Sequence, residues 1–391
     1  MNDMVFHFGQ SGRAPWPSSE DLSAEFRRLL GAAQEGGSTV SECFLTASRI
    51  DPKDQASWYR EWNRTAETNH ERGDAALSHG NRLTAKSNWL RAISYYSAAI
   101  IDLDFTDERL RAGLASMRTC ARHYLEHRNP AGEVVEIPWL SHYPLEGYFL
   151  PARAVSAQTP VVICIGEPGH RKEEYLYKAA RYARDRGMSL LCVDLMGSDN
   201  GARFENVVAR PDLETAISYI MDYLATRDDV DQRRIAILGD GSGSFVARGV
   251  ALDHRFAAAV CDGGVWDLQE RAFLARHAAS LDATSPTGLK SRIAPNLKCP
   301  VLITMGEHGW LEPERVDVLV EQLKAGKPQP DITLKIFTEA DAAASEGHTD
   351  NPTLASEFIF DWISDRLERI AVQTHNAHSS NKLRSDRLRV V

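Results

Sequence analysis

The sequence predicts an α/β protein: a mostly parallel sheet with helices on both faces, preceded by an all-helical unit. Three observations carry that expectation. Between residues 134 and 337, short apolar runs alternate with amphipathic stretches of helical length. Before residue 127 the pattern is helical, with few strand-like runs and few prolines after Pro52. Finally, the run RRIAILGDGSGSFVARGVAL passes from a strand pattern straight into a glycine-rich turn and a helix. Strands buried on both faces read as continuous apolar runs, and their alternation with helices signals parallel crossover units.

A chain of 391 residues exceeds the usual single-domain size of about 100 to 250 residues, so two units are expected. We place a helical unit at residues 1–130, an α/β core at 131–370 and a basic tail at 371–391. In the helical unit, Trp89, Ile93, Tyr96 and Ile100 recur at spacings of four, three and four, and Trp58 and Trp62 stand four apart. Such a stripe faces one way on a helix and reads as core, or otherwise as a pocket wall. The segment HRNPAG at residues 127–132 breaks the helical pattern and marks the boundary.

In the core, Val134–Pro138 and Leu145–Leu150 read as a hairpin. Strands are expected at Val161–Ile165, Ser189–Asp194, Arg234–Gly239, Ala257–Asp262, Val301–Met305 and Ile332–Phe337. Helices are expected near 172–186, 212–226, 244–252, 312–324 and 353–369, and the functional site at the carboxyl ends of the strands. The tail residues Lys382, Arg384, Arg387 and Arg389 read as a frayed, solvated end.

Composition narrows the function classes. A net charge of -9 and the lack of a basic stripe before the tail argue against nucleic-acid binding. Met1–Gln10 lacks the pattern of a signal peptide, and no run approaches the roughly 18 apolar residues of a membrane span, so a cytoplasmic location is expected. The six cysteines are widely spaced and read as reduced core residues.

The residues that can do chemistry cluster at the predicted strand ends. In a GxSxG reading the elbow is Gly239, Asp240, Gly241, Ser242 and Gly243, which puts Gly241 at the nucleophile position. A turn one residue longer would present Ser242. One residue shorter would present the Asp240 carboxylate, with Leu238 where a small residue is needed. A third reading has the loop only binding or polarising substrate. The strand end VVICIGEPGHRKEE has the form of an oxyanion loop, with the Glu167 amide after Gly166. The Glu167 carboxylate points to water or, if inward, suits proton transfer. Asp262, ending the strand in AVCDGGVWD, either orients a histidine or caps a turn, and Glu307 and His308 are further neighbours. His348, in the polar loop of FTEADAAASEGHTDNP, follows the other candidates in chain order and is the expected catalytic histidine. Gly166, Glu167, Gly241, Gly243 and His308 are the positions expected to bind substrate or an oxyanion. No metal cluster, phosphate loop or cofactor motif is seen, so a small-molecule substrate is expected without metal or cofactor.

On the segments WYREWNRTAE, KSNWLRAISYYSAAI, VEIPWLSHYPLEGYFLP and EGHTDNP, the chain resembles FrsA-like α/β-hydrolases. That family includes 2,6-dihydroxypseudooxynicotine hydrolase and fungal polyketide-shortening hydrolases. The similarity spans roughly residues 50 to 370. It implies an α/β-hydrolase fold with a helical lid, a serine, aspartate and histidine triad, a homodimer, and hydrolysis of C–C or ester bonds beside a carbonyl. The family histidine falls on His348 and the oxyanion loop on Gly166 and Glu167, whereas the serine falls on Gly241 and the aspartate on Gly309.

Three functions are therefore carried forward. The first is acid–base chemistry centred on His348 with Asp240, Glu167, Asp262 or Glu307, giving C–C cleavage, decarboxylation, cyclisation or elimination. The second is hydrolysis by Ser242 with His348 and Asp262. The third is binding without catalysis.

Overall fold

The structure is a computed structural model and describes residues 20–51, 53–153, 157–167, 170–196, 204–276, 296–325 and 329–388. Five helices come first: α1 (Glu20–Ala32), α2 (Val40–Ala47), α3 (Gln55–Ser78), α4 (Arg82–Ala99) and α5 (Glu108–Glu126). Thr39, Asp54 and Asp107 accept backbone N–H bonds at the starts of α2, α3 and α5, which satisfies donors a helix cannot satisfy itself. Helix α4 lies between α3 and α5 and is buried nearly all round from Ala92 to Ala99. Trp89, Ile93, Tyr96 and Ile100 are all buried, as are Trp58 and Trp62. Trp62 stacks on Tyr95, and Trp58 Nε1 donates to Ala98 O at 2.8 Å. The aromatic stripe is therefore core.

Eight strands follow: β1 (Glu133–Leu140), β2 (Tyr143–Leu150), β3 (Thr159–Gly166), β4 (Ser189–Val193), β5 (Val230–Asp240), β6 (Ala258–Asp262), β7 (Val301–Gly306) and β8 (Ile332–Phe337). They form one sheet in the order β1-β2-β4-β3-β5-β6-β7-β8. The β1–β2 hairpin joins antiparallel to β4, and every other pairing is parallel. The covering helices are α6 (Tyr175–Lys178), α7 (Ala180–Asp185), α8 (Phe204–Val208), α9 (Thr215–Ala225), α10 (Gly243–Leu252), α11 (Leu268–Arg276), α12 (Pro313–Lys324) and α13 (Pro352–Leu388). This is the α/β-hydrolase fold.

The helix expected near 172–186 is split into a 3₁₀ turn at Lys172–Glu174 followed by α6 and α7. The last helix, α13, continues to Leu388, well into the stretch expected to be a frayed end. The six cysteines are all buried and free. Among the described residues, no helix is long and apolar enough to cross a membrane.

The split at 172–178 has a physical cause. Its charged residues are buried and spent on ion pairs that a regular helix could not reach together. Lys172 is fully buried, with Nζ 3.2 Å from Asp194 Oδ2, 3.3 Å from Glu146 Oε1 and 3.5 Å from Glu173 Oε1. Tyr148 donates to Glu173 Oε1 at 2.7 Å. Next along, Glu174 accepts from Ser97 of α4 at 2.6 Å and pairs with Arg28 of α1 and with Lys178. The helical unit is thus fastened to the core through buried charge, directly beside the carboxyl ends of the strands.

Candidate active site

Strand β5 ends at Asp240, and Gly241 has φ +70°, a left-handed conformation that glycine adopts without steric cost. Helix α10 starts two residues later at Gly243. Gly241 is thus the apex of the elbow. Above it, a Cβ added to Gly241 would lie 3.1 Å from Glu167 Cγ, 3.2 Å from Cδ and 3.3 Å from Oε1. The Glu167 carboxylate therefore borders the space into which an elbow nucleophile would project.

Ser242 does not take that place. It is buried, and its hydroxyl donates to Ile165 O at 2.9 Å, beneath the turn. Asp240 faces the cavity but pairs with Lys178 Nζ at 3.4 Å. Gly243 packs α10 against the end of β6: a Cβ there would meet Gly264 O and Asp262 O.

His348 sits in a tight turn after β8. Gly347 and His348 are both left-handed, at φ +65° and +53°. For a histidine that conformation is uncommon, and it is held here by three contacts of the ring. Phe337 packs edge-on at 4.6 Å. Nε2 lies 3.1 Å from Asp262 Oδ1, and Nδ1 lies 3.1 Å from Ala343 O. Both ring nitrogens face acceptors, so the doubly protonated ring is the form that satisfies both contacts. Burial alone would lower the His348 pKa, but the Asp262 carboxylate outweighs it and the net shift is upward. Asp262 also accepts from Thr304 Oγ1 at 2.8 Å and from the Gly241 amide at 3.3 Å. Burial would raise its pKa, but His348 and these donors hold it below the usual carboxylate range.

These groups open onto one cavity of about 390 Å³. Its floor is Gly241, Asp262 and His348, and its wall includes Glu167, Tyr175 and Arg271. The helical unit closes the other side with Glu25, Arg28, Glu35, Ser97 and Ile101. Desolvation raises the pKa of Glu167, opposed by His170 and Arg271. Behind Gly166, Tyr175 Oη and His170 Nδ1 each lie 2.6 Å from where a Cβ would stand. Neither buried atom has a hydrogen-bond partner among the described residues. Burial pushes the Tyr175 pKa well up, so its hydroxyl stays a donor.

Glu35, at the rim, is pushed up to about 7 by burial, with a Tyr182 hydrogen bond opposing. The folded state therefore holds this proton after the unfolded chain has lost it. Stability falls as pH rises from about 4.5 to 7, by up to about 3 kcal/mol for this group. Glu35→Gln is expected to flatten that part of the stability curve, checked by urea denaturation at several pH values.

Of the positions picked from sequence, Gly166, Glu167, Asp240, Gly241, Ser242, Asp262 and His348 converge on the β3, β5 and β6 ends. Glu307 and His308 do not join them. Glu307 accepts from the Glu339 amide at 2.7 Å, and His308 Nε2 lies 2.9 Å from Glu339 Oε1, both exposed. The loop after β7 folds onto the segment after β8, which uses these side chains locally. Sequence reasoning missed Thr304, His170, Tyr175 and Lys178. A threonine inside VLITMG carries no signal, Tyr175 and Lys178 sit in a stretch read simply as helix, and His170 lies in the oxyanion-loop segment, where only Gly166 and Glu167 were singled out.

No protein-family model matches the chain. The fold is that of the α/β-hydrolases, and the site lies where that fold places it, at the carboxyl ends of the strands. Among curated proteins, the chain is similar to Hydrolyase poxO of Penicillium oxalicum, 27% identical over 308 residues, covering 75% of this chain and 72% of that one. It is 31% identical over 257 residues to 20-hydroxy-prefusarin hydrolase FUS2 of Gibberella moniliformis, covering 63% of this chain and 61% of that one. Among solved structures, 2,6-dihydroxy-pseudo-oxynicotine hydrolase superposes with a TM-score of 0.67 at 20% identity, covering 86% of this chain and 95% of that one. These relatives agree with the resemblance read from the sequence.

Proposed function

We propose that the protein catalyses proton transfer on a small carbonyl compound, aromatic or polyketide-like, without a covalent enzyme intermediate. The observation that carries this reading is Gly241 at the elbow apex with the Glu167 carboxylate over it. The relatives named for action on prefusarin- and oxynicotine-type molecules support the substrate class. A cavity of about 390 Å³ lies in the range of small-ligand pockets, and the helical unit serves as its lid.

In this mechanism Glu167, in its ionised form, takes a proton from carbon or hydroxyl next to the carbonyl. The electron pair moves onto the carbonyl oxygen. His348, held as imidazolium by Asp262 and Ala343 O, places positive charge beside that oxygen, and Glu167 returns its proton to the substrate as the negative charge collapses. Tyr175, an unpaired buried donor beside Gly166, is the further hydrogen bond for the oxygen. Elimination, decarboxylation, cyclisation and retro-type C–C cleavage all pass through such an enolate.

The test is a panel of aryl 1,3-diketones and β-keto esters incubated in D₂O, with products and deuterium content read by mass spectrometry. Wild type is expected to convert a panel member and incorporate deuterium next to the carbonyl. Glu167→Gln is expected to lose about 10²–10⁴-fold of that rate. An unchanged rate in Glu167→Gln would remove Glu167 from the reaction.

A further inference from the structure

The helical unit carries a set of side chains outside the cavity. On α3, His70 and Asp74 stand four residues apart and share one helix face. Helix α5 brings His123 against them. His70 Nε2 lies 3.8 Å from Asp74 Oδ2, and His123 Nδ1 lies 3.6 Å from Asp74 Oδ1. One ligand atom from each residue falls within 4.8 Å of the other two.

These separations are too long for good hydrogen bonds, and His123 Nδ1, cut off from solvent, has no hydrogen-bond partner among the described residues. The surroundings orient the group. The Tyr96 hydroxyl lies 3.3 Å from His70 Nδ1, which leaves Nε2 to point at Asp74. Trp89 Nε1 donates to Asp74 Oδ1 at 2.9 Å, and its ring packs on His123 at 5.1 Å.

We propose that His70, Asp74 and His123 bind a divalent transition-metal ion of the zinc type. Two imidazoles and one carboxylate are a donor set suited to Zn²⁺, and a fourth position stays open to water. With bonds near 2.0–2.1 Å, neighbouring ligands of a tetrahedral ion stand about 3.3 Å apart. The observed 3.6 and 3.8 Å are therefore closed by small side-chain rotations. Half-exposed Asp74 gives the ion its route in. Hydrogen bonds from Tyr96 and Trp89 of α4 hold the liganding groups from outside, as metal sites generally require. The bound ion ties α3 to α5 and, through these bonds, to α4. The sequence reading expected no metal, because the third ligand comes from a helix distant in the chain.

The test uses the full-length chain, free of any histidine tag and treated with chelator. Zn²⁺ is titrated by calorimetry, and Co²⁺ is followed by its visible ligand-field bands. One ion per chain is expected, with a rise in melting temperature. Asp74→Asn, which preserves shape, and His123→Ala are each expected to weaken Zn²⁺ binding at least ~10²-fold. Tyr96→Phe is expected to weaken it by about 10-fold or more, and His348→Gln to leave it unchanged. Wild-type binding no tighter than about 1 mM, or tight binding unaltered in both Asp74→Asn and His123→Ala, would overturn the proposal.

Discussion

His348→Gln is expected to lower turnover by about 10²–10⁴-fold and to weaken the fold at the same time. The catalytic loss follows from removing the imidazole that faces both Asp262 and the cavity floor beside Gly241. The stability loss follows from leaving the buried Asp262 without its charge partner, an effect of about 3–5 kcal/mol when one member of a buried pair is removed. Activity is therefore measured well below the melting temperature of the variant, with ligand binding as the control for folding.

The pH dependence of the pair has a definite sign. The His348 pKa is raised, so its contribution is full below the ordinary imidazole value and lost as pH rises through the folded value. The Asp262 pKa is lowered, so its contribution is present above the ordinary carboxyl value and lost as pH falls through the folded value. Together they stabilise most between about pH 3.9 and 6.5. Asp262→Asn is expected to flatten that window and to lower the His348 pKa, because burial then acts against only the weaker upward influences of Ala343 O and Asp350. Histidine ring resonances titrated by NMR read this directly.

Lys172→Ala is the second large effect, and it concerns the scaffold. Its ammonium is shared among Asp194, Glu146 and Glu173 at 3.2–3.5 Å and lies 5.2 Å from the centre of the Tyr148 ring. Removing it leaves carboxylates buried, with Arg118 at 3.7 Å from Glu146 and 4.0 Å from Glu173, and Arg122 at 3.8 Å from Glu146, as neighbouring cations. A loss of about 3–5 kcal/mol is expected, read as a lower urea midpoint at unchanged m-value. This cluster joins the hairpin strand β2, the end of β4 and the segment that leads to Glu174. Its loss is therefore also expected to loosen the cavity wall that carries Tyr175 and Lys178. A midpoint equal to wild type would show that the carboxylates find other partners.

The central strands β3, β4, β6 and β7, and the second half of β5, were legible because each is an apolar run buried on both faces, and the sheet pairs them through the same residues that mark them in the sequence. The elbow was legible in outline for a related reason: glycines cluster where a strand must turn sharply into a helix. What it presents was not legible, since occupancy of the apex depends on which residue takes the left-handed conformation. It also depends on Glu167 reaching across from β3, a contact between segments far apart in the chain. Asp262 was recognisable as a carboxylate ending a strand, but its partners Thr304 and His348 come from two other elements. Glu307 and His308 looked like site residues by position in the chain and are drawn away by Glu339. His70, Asp74 and His123 gave no signal because helical periodicity aligns the first two, while only packing brings the third.

The central claim is that no elbow side chain attacks substrate, and a serine-directed fluorophosphonate tests it most directly. Wild-type protein turning over a diketone substrate is treated with the probe and then digested for peptide mass spectrometry. The account predicts no adduct on the peptide carrying Ser242 and no loss of turnover. A stoichiometric adduct on Ser242, with turnover lost in proportion, would contradict it and make the protein a covalent hydrolase.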